Sequence, residues 1–108
     1  MNVRSTSTPD AWIDGAPATY QFRLYISGAT PASARAVVNT RRICEEHLKD
    51  RYTLEILNIA DHVERAARDQ VVAAPTLIKG SPLPLRRFIG DMSNVDRILA
   101  GLNLAPSP

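Results

Sequence analysis

The sequence predicts an α/β fold in which helices cover both faces of a four-stranded mixed sheet. Segments whose apolar residues alternate are interleaved with segments whose apolar residues recur every three or four positions. A long helical segment joins the first two strand segments, which is typical of a parallel β-α-β unit. A short proline-containing turn joins the last two, which is typical of an antiparallel hairpin. The predicted order over the 108 residues is therefore β-α-β-α-β-β-α.

The first strand is predicted over residues 20–27, where apolar and polar side chains alternate. Its apolar face carries Tyr20, Phe22, Leu24 and Ile26. A helix is predicted over residues 31–49, because Thr30 has the character of an N-cap and Pro31 fits the first helical position. These two residues are sufficient to begin the helix, whose apolar stripe includes Cys44.

The middle of the chain predicts a second strand followed by a short helix. Residues 52–59 are rich in apolar and aromatic residues that favour a strand. Asp61 and Glu64 form a D-x-x-E variant of the capping box, in which two side chains satisfy backbone N–H groups at a helix start. The pair predicts a helix over residues 62–70.

The next segments predict a hairpin. The third strand covers residues 74–79 and is entered through Pro75, residues 81–84 make the turn, and the fourth strand covers residues 85–90. Together with the preceding elements this is a thioredoxin-like arrangement. Thioredoxin-like folds keep a cis-proline where a strand enters opposite the start of the first helix, so Pro75 is predicted to be cis by analogy with the fold.

A final helix is predicted at the end of the chain, with Ser93 and Asp96 as its cap. Its apolar residues fall at i, i+3, i+4 and i+7, and they are Val95, Ile98, Leu99 and Leu102. Gly101 weakens this helix by up to about 1 kcal/mol.

The composition divides the chain into one domain with two flexible ends. Residues 1–18 are rich in Ser, Thr, Pro, Ala and Gly and predict a flexible arm; residues 19–104 form the domain, and residues 105–108 a disordered tail. No apolar run approaches the roughly 18 residues that a membrane span needs. A single cysteine fits a reducing compartment, and we expect a cytoplasmic protein without a membrane partner.

The sequence offers little support for catalysis or for metal binding. Thr30 and Ser33 stand where thioredoxin-like oxidoreductases place a Cys-x-x-Cys pair, and hydroxyls do not exchange disulfides. A residual thiol-redox protein using Cys44 is the alternative, although that residue lies on the apolar stripe. His47 and His62 have no metal-ligand spacing. We therefore predict no catalytic residue, no cofactor and no metal.

Arginine dominates the basic residues, at 11 of 13. Its planar guanidinium pairs with carboxylates in bidentate geometry and is favoured at protein interfaces. The net charge of +2 is too small to demand a nucleic-acid partner. An arginine-mediated nucleic-acid binder therefore stays only as an alternative.

Four stretches resemble the KaiB family of circadian clock proteins and their relatives. They are "LYISGATPASARA" (24–36), "AAPTLIK" (73–79), "LPLRRFIGDMSN" (83–94) and "ILAGLNL" (98–104). The resemblance implies a protein that is not an enzyme and that binds the N-terminal ring of a KaiC-type ATPase hexamer. Further implied partners are KaiA- or SasA-like proteins.

The resemblance also suggests which residues meet the partner. Basic residues at family positions and next to them are expected to bind it, namely Arg35, Lys79, Arg86 and Arg87. Gly90 and Asp91 are expected to shape the turn before the last helix, with Asp91 accepting a salt bridge from an arginine of the hairpin.

KaiB-like proteins are metamorphic, so the resemblance implies a second fold, β-α-β-β-α-α-β, that assembles as dimers or tetramers. The cap and the apolar stripe of the last segment favour the thioredoxin-like state. Asn103 replaces an aspartate that clock proteins typically carry, and it bears on the balance between the two folds. The longer arm and the missing acidic tail indicate a KaiB-like relative and not an oscillator component, and we expect it to act in circadian-type or stress-response regulation.

Overall fold

The computed structural model describes residues 19–104, and its elements follow the predicted order. The predictions for residues 1–18 and 105–108 lie outside the described residues. The strands are β1 (Tyr20–Ile26), β2 (Tyr52–Asn58), β3 (Thr76–Ser81) and β4 (Arg86–Ile89). The helices are α1 (Pro31–His47), α2 (Val63–Arg68) and α3 (Val95–Gly101), with a short 3-10 helix over Ile59–Asp61.

The four strands form one mixed sheet in the order β2-β1-β3-β4. β1 and β2 run parallel, with Tyr20 opposite Tyr52 and Ile26 opposite Asn58. β3 runs antiparallel to both β1 and β4. The sheet confirms the predicted β-α-β unit and hairpin, and with them the thioredoxin-like arrangement.

Each face of the sheet has its own core. On the first face, side chains of α1 and α3 pack against Phe22, Leu24 and Leu77. On the second face, Ala66 of α2 packs against Tyr25, and Leu57 and Ile78 complete that cluster. Each fully buried aliphatic or aromatic side chain contributes about 1.5–3 kcal/mol, so these cores hold the helices on both sides of the sheet.

The start of α1 confirms the prediction and extends it. The backbone N–H of Ser33 donates to Thr30 Oγ1 at 3.2 Å, and Pro31 opens the helix. However, Thr30 and Pro31 do not act alone, because the N–H of Ser27 donates to Ser33 Oγ at 3.0 Å. The Ser33 hydroxyl therefore ties the end of β1 to the first turn of the helix.

Two predicted caps are wrong. Asp61 lies within the 3-10 helix, and α2 begins after His62 without a side-chain cap, so Asp61 and Glu64 form no capping box. The side chain that caps this region is Asn58, which accepts the N–H of Ala60 at 3.2 Å.

At α3 the cap is Asn94, which accepts the N–H of Arg97 at 3.2 Å, and not Ser93. The predicted apolar stripe is nevertheless in place, because Ile98, Leu99 and Leu102 are buried. None of the helices within residues 19–104 is both long and apolar enough to span a membrane.

The peptide bond before Pro75 is cis, as predicted. Pro75 precedes β3, and its carbonyl accepts the N–H of Gly90 at 3.0 Å. This contact joins the entry of β3 to the end of β4.

Asn103 ends α3 in a left-handed conformation, with φ at +59°. The N–H of Asn103 donates to the Ala100 carbonyl at 3.1 Å, and the N–H of Leu104 donates to the Leu99 carbonyl at 2.8 Å. This pair of bonds is the Schellman motif, in which glycine or asparagine takes the left-handed position. Asn103 thus satisfies carbonyls that the helix end would otherwise leave unpaired.

Replacing Asn103 by alanine is expected to lower the free energy of unfolding by about 1 kcal/mol. In the left-handed region the Cβ atom comes too close to the following carbonyl oxygen, and alanine lacks the side-chain amide that lets asparagine tolerate this conformation. Asn103→Gly is the matched control and should equal or exceed the original stability. Urea unfolding monitored by circular dichroism measures both. Equal stability of the alanine and glycine variants would contradict this role.

Candidate functional site

The turn at Thr30–Ser33 occupies the position where thioredoxin-like enzymes carry their thiols. Both of its hydroxyls accept backbone N–H groups, and Ser33 is 1% exposed. Neither oxygen is set up as a nucleophile: Ser33 Oγ is buried, and Thr30 Oγ1, although exposed, has no base as a hydrogen-bond partner within residues 19–104.

An open groove of about 910 Å³ lies beside this turn, at the carboxyl ends of β1 and β2. Three segments line it, residues 27–30, 58–60 and 71–74. Ligands of open α/β sheets bind at such strand ends. The lining residues are Ser, Gly, Ala, Thr, Asn, Ile and Val, so the wall offers contact area and no titratable group.

Cys44 lies in the first core and is 2% exposed. Burial, with a smaller effect of Glu45, raises the pKa of its thiol to about 12. The thiol therefore stays protonated at neutral pH, whereas disulfide exchange requires a thiolate. This environment argues against the thiol-redox alternative. Within residues 19–104, no three His, Cys, Asp or Glu side chains come together as metal ligands.

Arg35 pairs with Asp91, and this corrects the prediction that an arginine of the hairpin does so. Arg35 lies on α1, and its Nε donates to Asp91 Oδ2 at 2.9 Å. The Ser93 N–H donates to Asp91 Oδ1 at 3.1 Å, and Asn39 Nδ2 donates to the Asp91 carbonyl at 2.9 Å. Hydrogen bonds from Ser93 and then Arg35 lower the pKa of Asp91. These contacts pin the Gly90–Asp91 turn to α1.

Arg87 projects from the second face of β4 towards the end of α2. Its Nε donates to the Asp69 carbonyl at 3.2 Å, and its Nη2 contacts Gln70 Oε1 at 3.4 Å. A cation near the carbonyl end of a helix is favourable. Arg87 thus has a structural role as well as an exposed guanidinium.

Lys79 and Arg86 are direct partners in the β3–β4 ladder. Arg86 is exposed, whereas Lys79 is only 3% exposed, and its role in binding a partner stays a prediction. Its Nζ lies 5.9 Å from the centre of the Tyr20 ring. Burial and then the charge of Arg86 lower the pKa of Lys79.

The four residues expected to bind a partner do not form one cluster. The structure places them around β4 at three points: Arg35 at its carboxyl end, Arg87 on its second face, and Lys79 with Arg86 on its first face. What they share is proximity to β4, an outer strand of the sheet.

Sequence reasoning missed a partly buried clamp at Asp69, which follows α2 as its C-cap. Arg23 donates to it through Nε at 2.8 Å and Nη2 at 3.0 Å, and the Tyr25 hydroxyl donates at 2.5 Å. A carboxylate at a helix C-terminus is unfavourable unless a cation is near. The unfavourable position of the Asp69 carboxylate, together with Arg23 and Tyr25 on the same face of β1, was the signal in the sequence that could have predicted this clamp.

Comparisons with known proteins agree with this geometry. A family model described as "KaiB domain" matches residues 23–104. The circadian clock protein KaiB3 of Synechocystis sp. is 45% identical over 85 residues, covering 79% of this chain and 83% of that protein. The circadian clock oscillator protein KaiB of Thermostichus vulcanus is 41% identical over 86 residues, covering 80% of each.

Two solved structures show the same fold at low sequence identity. The N-terminal domain of SasA from Synechococcus elongatus has a TM-score of 0.66 at 17% identity, covering 85% of this chain and 90% of that one. The thioredoxin Deadhead of Drosophila melanogaster has a TM-score of 0.65 at 13% identity, covering 86% and 90%.

Proposed function

The chain belongs to the KaiB family, and from that premise we propose that it is a non-catalytic adapter that binds a KaiC-type ATPase hexamer. The observation that carries the proposal is the turn at Thr30–Ser33, where the Thr30 hydroxyl caps α1 and the Ser33 hydroxyl ties that helix to the end of β1. A thioredoxin-like scaffold without a presented nucleophile, beside a groove without titratable groups, supports docking over chemistry.

The proposed contact surface surrounds β4 and includes Arg35, Arg86 and Arg87. Arginine forks favour carboxylates of a partner surface, and they do so better than lysine because the planar group makes two parallel hydrogen bonds. Lys79 is buried, so it adds positive charge to this surface without touching the partner directly.

The adapter would act in circadian-type or stress-response regulation. KaiA- or SasA-like proteins are further candidate partners, and the fold shared with the SasA domain is consistent with two proteins that use similar surfaces. An ATP-hydrolysing partner implies that the proteins meet in the cytoplasm.

The proposal includes a second fold in which the chain forms dimers or tetramers. Two folds of one chain must lie within a few kcal/mol of each other. The Asn94 cap and the Schellman motif at Asn103 both stabilise α3 as a helix. They therefore favour the thioredoxin-like state, which the family resemblance implies to be the one that binds.

Co-migration with a KaiC-type hexamer on a sizing column, with ATP and with ADP, tests the proposed function. Arg35→Ala is expected to weaken binding about tenfold, which corresponds to the loss of one charge-assisted hydrogen bond. Arg42→Ala, on an exposed position of the same helix, is the matched control and should bind normally.

A second control separates direct contact from positioning. Asp91→Asn weakens the pair with Arg35 but keeps the guanidinium, so it should bind at least as well as the unmodified chain. Equal weakening by Arg35→Ala and Asp91→Asn would mean that the turn matters and the arginine does not. No co-migration in either nucleotide would contradict the proposed function.

A further inference from the structure

The outer edge of β4 has no ladder partner among residues 19–104, because the sheet order ends at this strand. We propose that this edge receives an extended acidic segment of the protein partner, which adds a fifth strand and brings a carboxylate to Arg86. The inference rests on the proposed function, because it specifies the chemistry by which a partner meets β4. An exposed strand edge offers a row of backbone donors and acceptors for such an addition.

The first argument is an uncompensated pair of cations. Lys79 and Arg86 face each other across the ladder, and like charges in that position destabilise a sheet. Lys79 is also withdrawn from water, at 3% exposure. Among residues 19–104, no carboxylate lies within salt-bridge distance of either side chain.

Other arginines of this domain show the contrast. Arg23, Arg35 and Arg65 each have a carboxylate of their own within 3 Å, supplied by Asp69, Asp91 and Glu55 respectively. Within residues 19–104, Lys79 of β3 and Arg86 of β4 have no such carboxylate. A carboxylate on the outer side of Arg86 would neutralise it and relieve the repulsion felt by Lys79.

The second argument is the alternation of side chains along the strand. Arg86 lies on the first face, and Arg87 lies opposite Ile78 on the second face. Leu85 and Ile89 share that second face by alternation and are 42% and 52% exposed. A matching segment therefore carries acidic residues on one face and apolar β-branched residues on the other.

The opposite edge of the sheet does not fit the same ligand. β2 carries Glu55, whose side chain is already bound to Arg65 at 2.7 and 2.8 Å. An acidic segment would meet a like charge there. Charge therefore assigns the acidic strand to β4.

The experiment titrates the full chain with the peptide acetyl-Glu-Val-Glu-Val-Glu-Val-amide and follows backbone amide shifts. The largest shifts are expected at residues 85–90. Arg86→Glu should weaken binding at least tenfold and should bind the peptide with Lys in place of Glu. Arg41→Glu, exposed on α1, makes the same change in net charge and should bind the acidic peptide normally.

Two further readouts make the result decisive. Arg86→Glu places an anion opposite Lys79, so its urea midpoint should rise above that of the unmodified chain. The acidic peptide N-methylated at every residue keeps its charges but has no N–H donor for strand pairing on either edge, so it should fail to bind. Equal binding by the methylated peptide, or by Arg86→Glu, would overturn the inference.

Hexamer co-migration, run in parallel, separates the two hypotheses. If the hexamer binds and the peptide does not, the strand addition is wrong and the adapter function stands. If the peptide binds through Arg86 and the hexamer does not, the edge site stands and the ATPase partner is wrong.

Discussion

Asp69→Ala is expected to lower the free energy of unfolding by about 3 kcal/mol, the largest effect of any single substitution considered for this chain. The change removes the acceptor for Arg23 and for the Tyr25 hydroxyl at once. Arg23 is 25% exposed in its side chain and Tyr25 is fully buried, so neither regains full hydration. Removing one partner of a largely buried ion pair typically costs about 3–5 kcal/mol.

Urea unfolding measures this loss, and Asp61→Ala is the matched control. Asp61 is exposed and its side chain makes no hydrogen bond with residues 19–104, so its replacement should change stability by less than about 0.5 kcal/mol. Equal effects of the two alanine variants would show that the clamp contributes nothing.

The clamp also predicts a dependence on pH. Burial opposes ionisation of Asp69, but hydrogen bonds from Arg23 and Tyr25 outweigh it and lower the pKa of the carboxyl. The folded pKa therefore lies below the unfolded value of about 3.9. The contribution of the clamp is present above that value and is lost as pH falls through the folded pKa. Asp69→Asn should lose less stability between pH 5 and 2 than the unmodified chain.

Gly101→Ala is expected to destabilise the domain by about 1–2 kcal/mol, although alanine is the better helix former. A Cβ at this position would lie 2.6 Å from Cε1 and 2.7 Å from Cζ of Phe88. Phe88 is 6% exposed, and its rigid ring has little room to move. The overpacking cost of about 1–3 kcal/mol outweighs the gain of about 1 kcal/mol in helix propensity.

A double-mutant cycle with Phe88→Leu tests the contact directly. In the smaller background, Gly101→Ala should become neutral or stabilising, because the obstructing ring atoms are gone. Thermal and urea unfolding both report the coupling. A stabilising effect of Gly101→Ala in the unmodified chain would contradict the close approach of α3 to β4.

The order of the elements could be predicted because it depends on local patterns. The alternation in β1 and the Thr30–Pro31 start of α1 both act within a few residues, and both are found in the structure. The caps failed at Asp61 and Ser93 because several polar residues compete near a helix start. The backbone selects Asn58 and Asn94, and composition alone does not reveal which residue it selects.

The site was harder to predict because its contacts are distant in sequence. Arg23 and Asp69 are 46 residues apart, and Arg35 and Asp91 are 56 apart. Family positions placed Lys79 among the cations that bind a partner, but that pattern does not reveal its burial beside the Tyr20 ring. Asn103 could be seen from the sequence to depart from the family pattern, but its role in ending the helix follows only from its left-handed φ at the end of α3.

The two faces of the sheet are covered unequally, and this sets the order in which the domain opens. Within residues 19–104, the apolar cluster on the first face holds twelve buried residues, whereas that on the second holds four, and α2 supplies one of those four. Subglobal opening begins where apolar contacts are fewest. The amides of α2 therefore exchange with solvent hydrogen before those of α1. We expect each such opening to break the hydrogen bonds from Arg87 to the Asp69 carbonyl and to Gln70 Oε1, and so to free its guanidinium on β4.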